Sequence, residues 1–354
     1  METSITATTP TIYDVAARAG VSIATVSRVL NSRAHTAGAT RERVIGAVAD
    51  LGFVPNGAAR GLSRGLKRVI GVVFATGDES LVEEESLLFT DSVIRGAESG
   101  ASQHGYSLLL NGSGPGAPVA ALTGKVDGLI LLDQVLPEKR VASLARRVPV
   151  VLLAGSGRVR SAVTVRVDNA AAMRTVAEHL VDHHGMRHLA FMSGLASSPD
   201  SVTRAAHFVR SATARGATVE PPERWSADWT SGGAAGVTRE CLAAGGTLPQ
   251  GIVCANDQMA IGVMHALAGA GYRVPDDVAL VGFDDIFLAR HLSPALTSVR
   301  QPSRQLGAAA VDALVTLVEG RPLPSRDIVL PTELRIRASC GCPAAASDNW
   351  TVRI

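Results

Sequence analysis

The 354-residue chain has no apolar run near the ~18 residues that a membrane helix needs. Its first ten residues, METSITATTP, lack the basic start and apolar stretch of a secretion signal. A cytosolic location is the expectation. Cysteine is scarce: four in the whole chain make no disulfide framework, and reduced thiols are expected. The 35 Gly and 17 Pro show no three-residue period, which excludes a collagen-like rod. Charge is too sparse at 19% and hydrophobic residues too common at 46% for a disordered chain; the length suits two or three domains. No Ser-His-Asp set or carboxylate pair is legible, so no catalytic residue, cofactor or metal is expected.

What the chain does have is an uneven charge. The net charge of +2 hides a basic head: residues 11–68 carry nine Arg and Lys against three Asp and Glu, 9 − 3 = +6. Residues 1–10 hold only Glu2, and the remaining 286 hold 25 basic and 28 acidic groups, 25 − 28 = −3. A small basic head on a mildly acidic body points to a polyanion as partner, although a charged surface alone is also compatible.

Residues 11–55 read as three short helices. Thr11 and Asp14 can cap the first, Ile12, Val15 and Ala16 form its apolar face, and Gly20 stops it. Ser22 can cap a second, with Val26, Val29 and Leu30 inward. Thr40 can cap a third with the stripe Val44, Ile45, Val48 and Leu51, ended by Gly52. Helix, tight turn, helix is the helix-turn-helix pattern. From residue 69 short apolar runs alternate with helical stretches: Val69–Phe74, Ser107–Leu110, Gly128–Leu132, Val148–Leu153, Leu189–Met192, Gly251–Cys254 and Val278–Phe283 against Ala170–His184, Met259–Ala270 and Leu306–Leu317. This predicts parallel sheets with helices on both faces, in two similar α/β lobes with ligands beyond the strands' carboxyl ends.

Specific strings carry a resemblance. They are TIYDVAARAGVSIATVSRVLN at 11–31, LGFVPNGAARGL at 51–62, VDGLI at 126–130 and VDN at 167–169. CANDQMAIG at 254–262, VPDDVALVGFDD at 274–285, LTSVRQP at 296–302, LPTEL at 330–334 and SCGC at 339–342 follow in family order. The chain resembles the lactose/galactose repressor (LacI) family of bacterial transcription regulators over residues 11–342. The resemblance implies a helix-turn-helix headpiece over 11–55, a hinge helix or linker over 56–67, and a two-lobed periplasmic-binding-protein-like core over 68–342. The first lobe would take 68–165 and 300–328, the second 168–297 plus a C-terminal strand, with a disordered tail at 1–10 and a flexible one at 343–354. It also implies a pseudo-palindromic double-stranded DNA operator, a small effector, expected to be a sugar, and a homodimer. After Cys342 no leucine heptads follow, so no tetramerising coiled coil is expected. A transporter's sugar-binding protein and an α/β enzyme on sugars or nucleotides remain rivals, the first against the basic head, the second without a catalytic set.

The second helix would enter the major groove. Ile23 and Ala24 occupy the family's base-reading positions, with Ile23 alternatively a headpiece core residue. Arg28 can grip a guanine edge. Ser22, Thr25, Ser27 and Asn31 suit phosphates. In the hinge, Asn56 can cap, Ala59 faces DNA, and Leu62 matches the leucine that wedges open the minor groove, while Gly57 and Gly61 weaken the helix. The effector positions map to Phe89, Arg204, Trp229, Asn256, Asp257 and Asp284. Phe89 equally fits core packing, and Asp257 equally fits a helix N-cap. Four features depart from the family pattern: His207 in place of a Gly, Ala154 and then Gly155 after Leu153 where a polar residue is usual, an acidic 78–88 stretch, and a short, Gly/Pro-rich 111–125 segment.

Some signals carry less. Gly112–Gly116 lacks the Lys-Ser/Thr ending of a phosphate loop and reads as a loop. His179 and His183, four apart with His184 and His188 nearby, lack the Glu of a zinc-protease helix and read as a solvated helix end. Cys340 and Cys342 are two thiols, too few for a zinc site.

Overall fold

A computed structural model describes residues 10–30, 38–53, 66–75, 87–113, 119–132, 136–154, 159–245, 247–343 and 351–353. It separates into two units, Met1–Arg68 and Val69–Ile354. Asn31, the hinge residues Asn56, Ala59 and Leu62, the tail 1–9 and the acidic stretch 78–86 lie outside the described residues.

The first unit holds α1 (Ile12–Ala19), α2 (Ile23–Leu30) and α3 (Gly38–Leu51). Asp14 accepts from both the backbone N–H and the hydroxyl of Thr11 at 2.7 Å, closing the start of α1. Gly20 ends it at φ +62°, a left-handed turn that lets Val21 N–H reach the Ala16 carbonyl at 3.1 Å. Ser22 Oγ then accepts from Thr25 N–H at 3.2 Å, starting α2. Val15, Ala16, Ala19, Val26, Val29, Val44 and Ala47 make the core. Two expectations are corrected. The third helix begins at Gly38, before Thr40, and Ile45 is 50% exposed while Ala47 is buried. Val44, Ala47, Val48 and Leu51 keep the one-face spacing of a helix, from which Ile45 is rotated by about 100°.

The second unit contains two sheets. The first is wholly parallel and uses β1 (Val69–Ala75), β2 (Ser107–Ser113), β3 (Gly128–Leu132), β4 (Val150–Leu153), β5 (Val163–Val167) and β11 (Asp327–Leu330). The order is β11-β5-β4-β3-β1-β2. Strands β3 and β4 are buried at every residue, as a sheet covered on both faces requires. Gly112 and Ser113, read from sequence as part of a loop, belong to β2. Helices α4 (Leu87–Gln103), α5 (Glu138–Leu144) and α10 (Ser303–Val318) accompany this sheet.

The second sheet uses β6 (His188–Met192), β7 (Thr218–Val219), β8 (Gly251–Cys254), β9 (Ala279–Asp284), β10 (Thr297–Arg300), β12 (Glu333–Arg335) and β13 (Thr351–Arg353) in the order β13-β12-β10-β9-β8-β6-β7. Its helices are α6 (Asn169–Glu178), α7 (Pro199–Thr213), α8 (Ser231–Ala243) and α9 (Asp257–Gly269). Strands β12 and β13 are antiparallel to their neighbours. Within the tail expected to be flexible, Thr351–Arg353 add an edge strand on the free row of backbone donors and acceptors of β12, while 344–350 and 354 lie outside the described residues. In both sheets the strand order reverses beside the first strand, between β1 and β3 and between β6 and β8. Ligands collect at such reversals, beyond the carboxyl ends. The chain passes between the lobes after β5, after β10 and after β11.

Candidate functional site

In the headpiece the start of α2 is open. Ser22, Ile23, Ala24 and Arg28 are exposed, and Thr25 and Ser27 are half-buried. Ile23 is 40% exposed, which places it outside the headpiece core. The Thr25 hydroxyl meets Ser22 Oγ at 2.9 Å, so these two groups are first of all a helix cap. Arg28 stands on the same helix, with its fork available to a guanine edge or a phosphate.

The second candidate site lies between the lobes of the core. A cavity of about 450 Å³ is lined by Phe89 and Ser92 from α4, Asp284 at the end of β9 with Phe287 beyond it, and Arg300 at the end of β10 with Gln301 beyond it. Asp284 has φ +111° and Asp285 φ +53°; Ala154, ending β4, and Trp229, before α8, are also left-handed at +60° and +76°. Each such backbone costs about 1–3 kcal/mol, and they gather where a site must be shaped.

Behind Asp284 stands a buried polar frame. Arg204 on α7 donates Nε–H to Asn169 Oδ1 at 2.9 Å, Nη1–H to the Ala255 carbonyl at 2.7 Å and Nη2–H to Asp200 at 3.1 Å. Its guanidinium carbon lies 3.6 Å from the Phe283 ring centroid. Asn169 in turn donates to Asp200 at 2.9 Å. Burial raises the Asp200 carboxyl, and the Arg204 charge pulls it back down. Burial also pushes Asp284 up to about 7, against the Arg204 charge and the hydrogen bond donated by Gln301. Asp284 therefore changes protonation state near neutral pH, where it can either donate or accept toward a ligand.

Trp229 and Asn256 lie together: the Asn256 amide donates to the Trp229 carbonyl at 3.0 Å, and its oxygen caps α9 by accepting from Met259 N–H at 2.8 Å. The Trp229 ring presses on Gly194 so closely that a Cβ there would stand 2.4 Å from it. Its indole N–H has no acceptor among the described residues.

The structure does not bring Asp257 to the cleft surface. It is fully buried, accepts from Ser298 Oγ at 2.6 Å and Ile286 N–H at 2.8 Å, and is pushed well above the ordinary carboxylate range by burial and then by Asp284. It also is not the N-cap, a place Asn256 takes. Its bonds instead pin the Asp284–Ile286 turn. Asp285 does the same from the other side, held by Arg300 at 2.8 Å and Arg337 at 2.6 Å. His207 contacts Arg210 one turn on, beside the buried Phe208.

Sequence reading missed Asn169, Asp200 and Gln301. The Asp200 and Arg204 pair was legible as an i, i+4 spacing on one helix. The partnership with Asn169 and Ala255 was not, since four separate segments meet there.

Comparisons with known proteins bear on the family and the fold. A family model described as bacterial regulatory proteins, lacI family, matches residues 11–56, and one described as periplasmic binding protein-like domain matches 177–340. Catabolite control protein A of Priestia megaterium is 31% identical, over 93% of this chain and 98% of its own. A Lac repressor dimer bound to operator and the anti-inducer ONPF has TM-score 0.76 and 30% identity, covering 94% of this chain and 99% of its own. A complex of the transcriptional regulator CelR with cellobiose has TM-score 0.67 and 29% identity, covering 93% and 99%.

Proposed function

The chain belongs to the LacI family of bacterial regulatory proteins, and from that premise we propose how this DNA-binding transcriptional regulator takes its signal. The effector is a sugar bound between the core lobes. One observation carries this reading: Arg204, buried and fixed by Asn169, Asp200, the Ala255 carbonyl and the Phe283 ring, behind the Asp284 carboxyl that lines the cavity. Three of the five N–H donors of Arg204 are committed, leaving two for ligand hydroxyls. Asp284 supplies an acceptor or donor, and Trp229 an apolar face for the faces of a pyranose ring. Phe89 and Gln301 close the cleft from the other side. Asp257 acts through the turn it pins and has no direct contact with ligand.

The output is operator affinity. Two copies bind a two-fold DNA site, each placing Ile23, Ala24 and Arg28 against base edges and Ser22, Thr25, Ser27 and Asn31 near phosphates. Residues 56–67, most of them outside the described residues, would serve as the hinge, with Asn56, Ala59 and Leu62 as its DNA-contacting positions and Leu62 the wedge for the minor groove. Closure of the cleft acts by shifting the balance between hinge states, so the effector must bind the two states with different affinity. The protein works in the cytoplasm, as a regulator and without catalysis.

The test is a thermal-shift screen of mono- and disaccharides on the full chain, followed by operator binding with each hit. A sugar that raises the melting temperature and changes operator affinity supports the reading. If only nucleobases or organic acids did both, the sugar assignment would be wrong while the regulator assignment stood.

A further inference from the structure

We propose that His179, His184, Cys340 and Cys342 form a closed four-ligand site for a thiophilic divalent cation of tetrahedral preference, zinc above all. Their ligand atoms all lie within 4.8 Å of one another. His179 Nε2 stands 3.3 Å from Cys340 Sγ and 3.3 Å from His184 Nε2. Cys342 Sγ stands 3.3 Å from His184 Nε2 and 3.9 Å from His179 Nε2. Zinc with bonds of ~2.0 Å to nitrogen and ~2.3 Å to sulfur spaces its tetrahedral ligands by roughly 3.3–3.8 Å. Four of the six ligand pairs stand at 3.3–3.9 Å, and all six lie within 4.8 Å.

Two local features build the site. The helix after α6 continues as a π-turn over His179–His183, and His184 N–H bonds to the His179 carbonyl at 3.2 Å. In an α-helix residues five apart point about 140° apart, but the wider π-turn brings His179 and His184 to one face. His183, the α-helical partner of His179, is left exposed. On the other side Gly341 takes φ +98°, a conformation that suits glycine and turns both neighbouring sulfurs to the same side. The turn bearing Cys340 is anchored in the sheet: Ser339 Oγ accepts from Thr297 N–H at 2.8 Å and donates to the Leu280 carbonyl at 2.6 Å.

The chemistry balances. A divalent cation displaces one proton from each thiol, two protons leave to solvent, and the complex of two thiolates, two neutral imidazoles and the cation has no net charge. Neutrality suits a place where Cys340 is fully buried and His179 is only 9% exposed. The proton that Cys340 loses is the one it now directs at the Arg337 carbonyl, 3.3 Å away. With four protein ligands no position is open to substrate, which makes the role structural. The ion would tie the C-terminal turn to the end of the helical run whose first residue, Asn169, holds Arg204.

The experiment uses the untagged full-length chain, purified under reductant with zinc offered and then dialysed. Metal analysis should find one zinc per chain. Cobalt in its place should give the thiolate charge-transfer and strong visible bands of a tetrahedral ion. Cys342→Ser and His184→Ala should lower retention at least tenfold, and His183→Ala should leave it unchanged. A strong chelator should lower the melting temperature of the native chain and not that of Cys342→Ser. If a variant fails to fold, the cobalt spectrum of the native chain decides. Failure to retain zinc, an octahedral cobalt spectrum, or an intact mass two hydrogens light, as a Cys340–Cys342 disulfide would give, overturns the proposal.

Discussion

The guanidinium carbon of Arg204 lies over the Phe283 ring, 3.6 Å from its centroid, and the next residue along β9 is Asp284. The strand thus supplies both the surface that fixes the arginine and the carboxyl that completes the polar floor. Cation–π contact is strongest where water is excluded, and Arg204 is 3% exposed. The three hydrogen bonds around it remove its rotational freedom. A ligand group meeting this frame finds donors that need no reorganisation.

Replacing Arg204 by Ala should cost about 3–5 kcal/mol, since it leaves Asp200 buried without its countercharge. Arg204→Lys should recover part of that stability but not effector binding, because an ammonium can neither fork to Asn169 and Asp200 nor lie flat on Phe283. Urea unfolding and effector titration of both variants check this. Equal effector affinity in Arg204→Lys would show that the guanidinium geometry is not used.

Asp284 makes stability depend on pH in a stated direction. Burial pushes its folded pKa up to about 7, above the ordinary carboxylate value near 4, so between those limits the folded state holds a proton that the unfolded state has released. The native chain should therefore lose stability as pH rises from about 4 to about 7, by roughly 4 kcal/mol at most at 1.36 kcal/mol per unit. Asp284→Asn removes this slope and should be relatively more stable at pH 8 than at pH 4. Parallel stability curves for the two proteins would refute the assignment.

Gly194→Ala tests the Trp229 wall. The added methyl would meet the indole at 2.4 Å, so the ring must move or the lobe must strain. Overpacking of this kind costs about 1–3 kcal/mol. Effector affinity and tryptophan emission should both change, while operator affinity without effector should hold. An unchanged emission spectrum would mean the ring had not moved.

In the headpiece, Arg28→Ala should cost about 1–3 kcal/mol at one base pair per half-site and relax specificity there. Ser22→Ala should act differently: losing the bond to Thr25 N–H costs about 1 kcal/mol of helix stability and weakens all sequences alike. Affinities measured over a panel of single-base operator variants separate the two patterns.

Those parts whose partners are near in the chain were legible from the amino-acid order alone. Thr11 with Asp14, Gly20, and Ser22 with Thr25 interact within a few residues, so the headpiece helices could be read directly. The apolar strand runs told of the sheets because burial on both faces leaves a continuous hydrophobic stretch. Short or half-exposed strands such as β7 and β11 left no such trace. Composition also could not tell which polar group at a strand end faces a ligand. Asp257 and Asp284 look alike in sequence; only tertiary packing gave Asp257 to Ser298 and Ile286 and left Asp284 on the cavity. The same holds for the four metal-type ligands. His179 and His184 are out of phase on an α-helix, and Cys340 lies 161 positions from His179. A single π-turn and the docking of the C-terminal turn on the second sheet bring them together, because side-chain proximity there depends on helix phase and on long-range packing, neither of which a local pattern encodes.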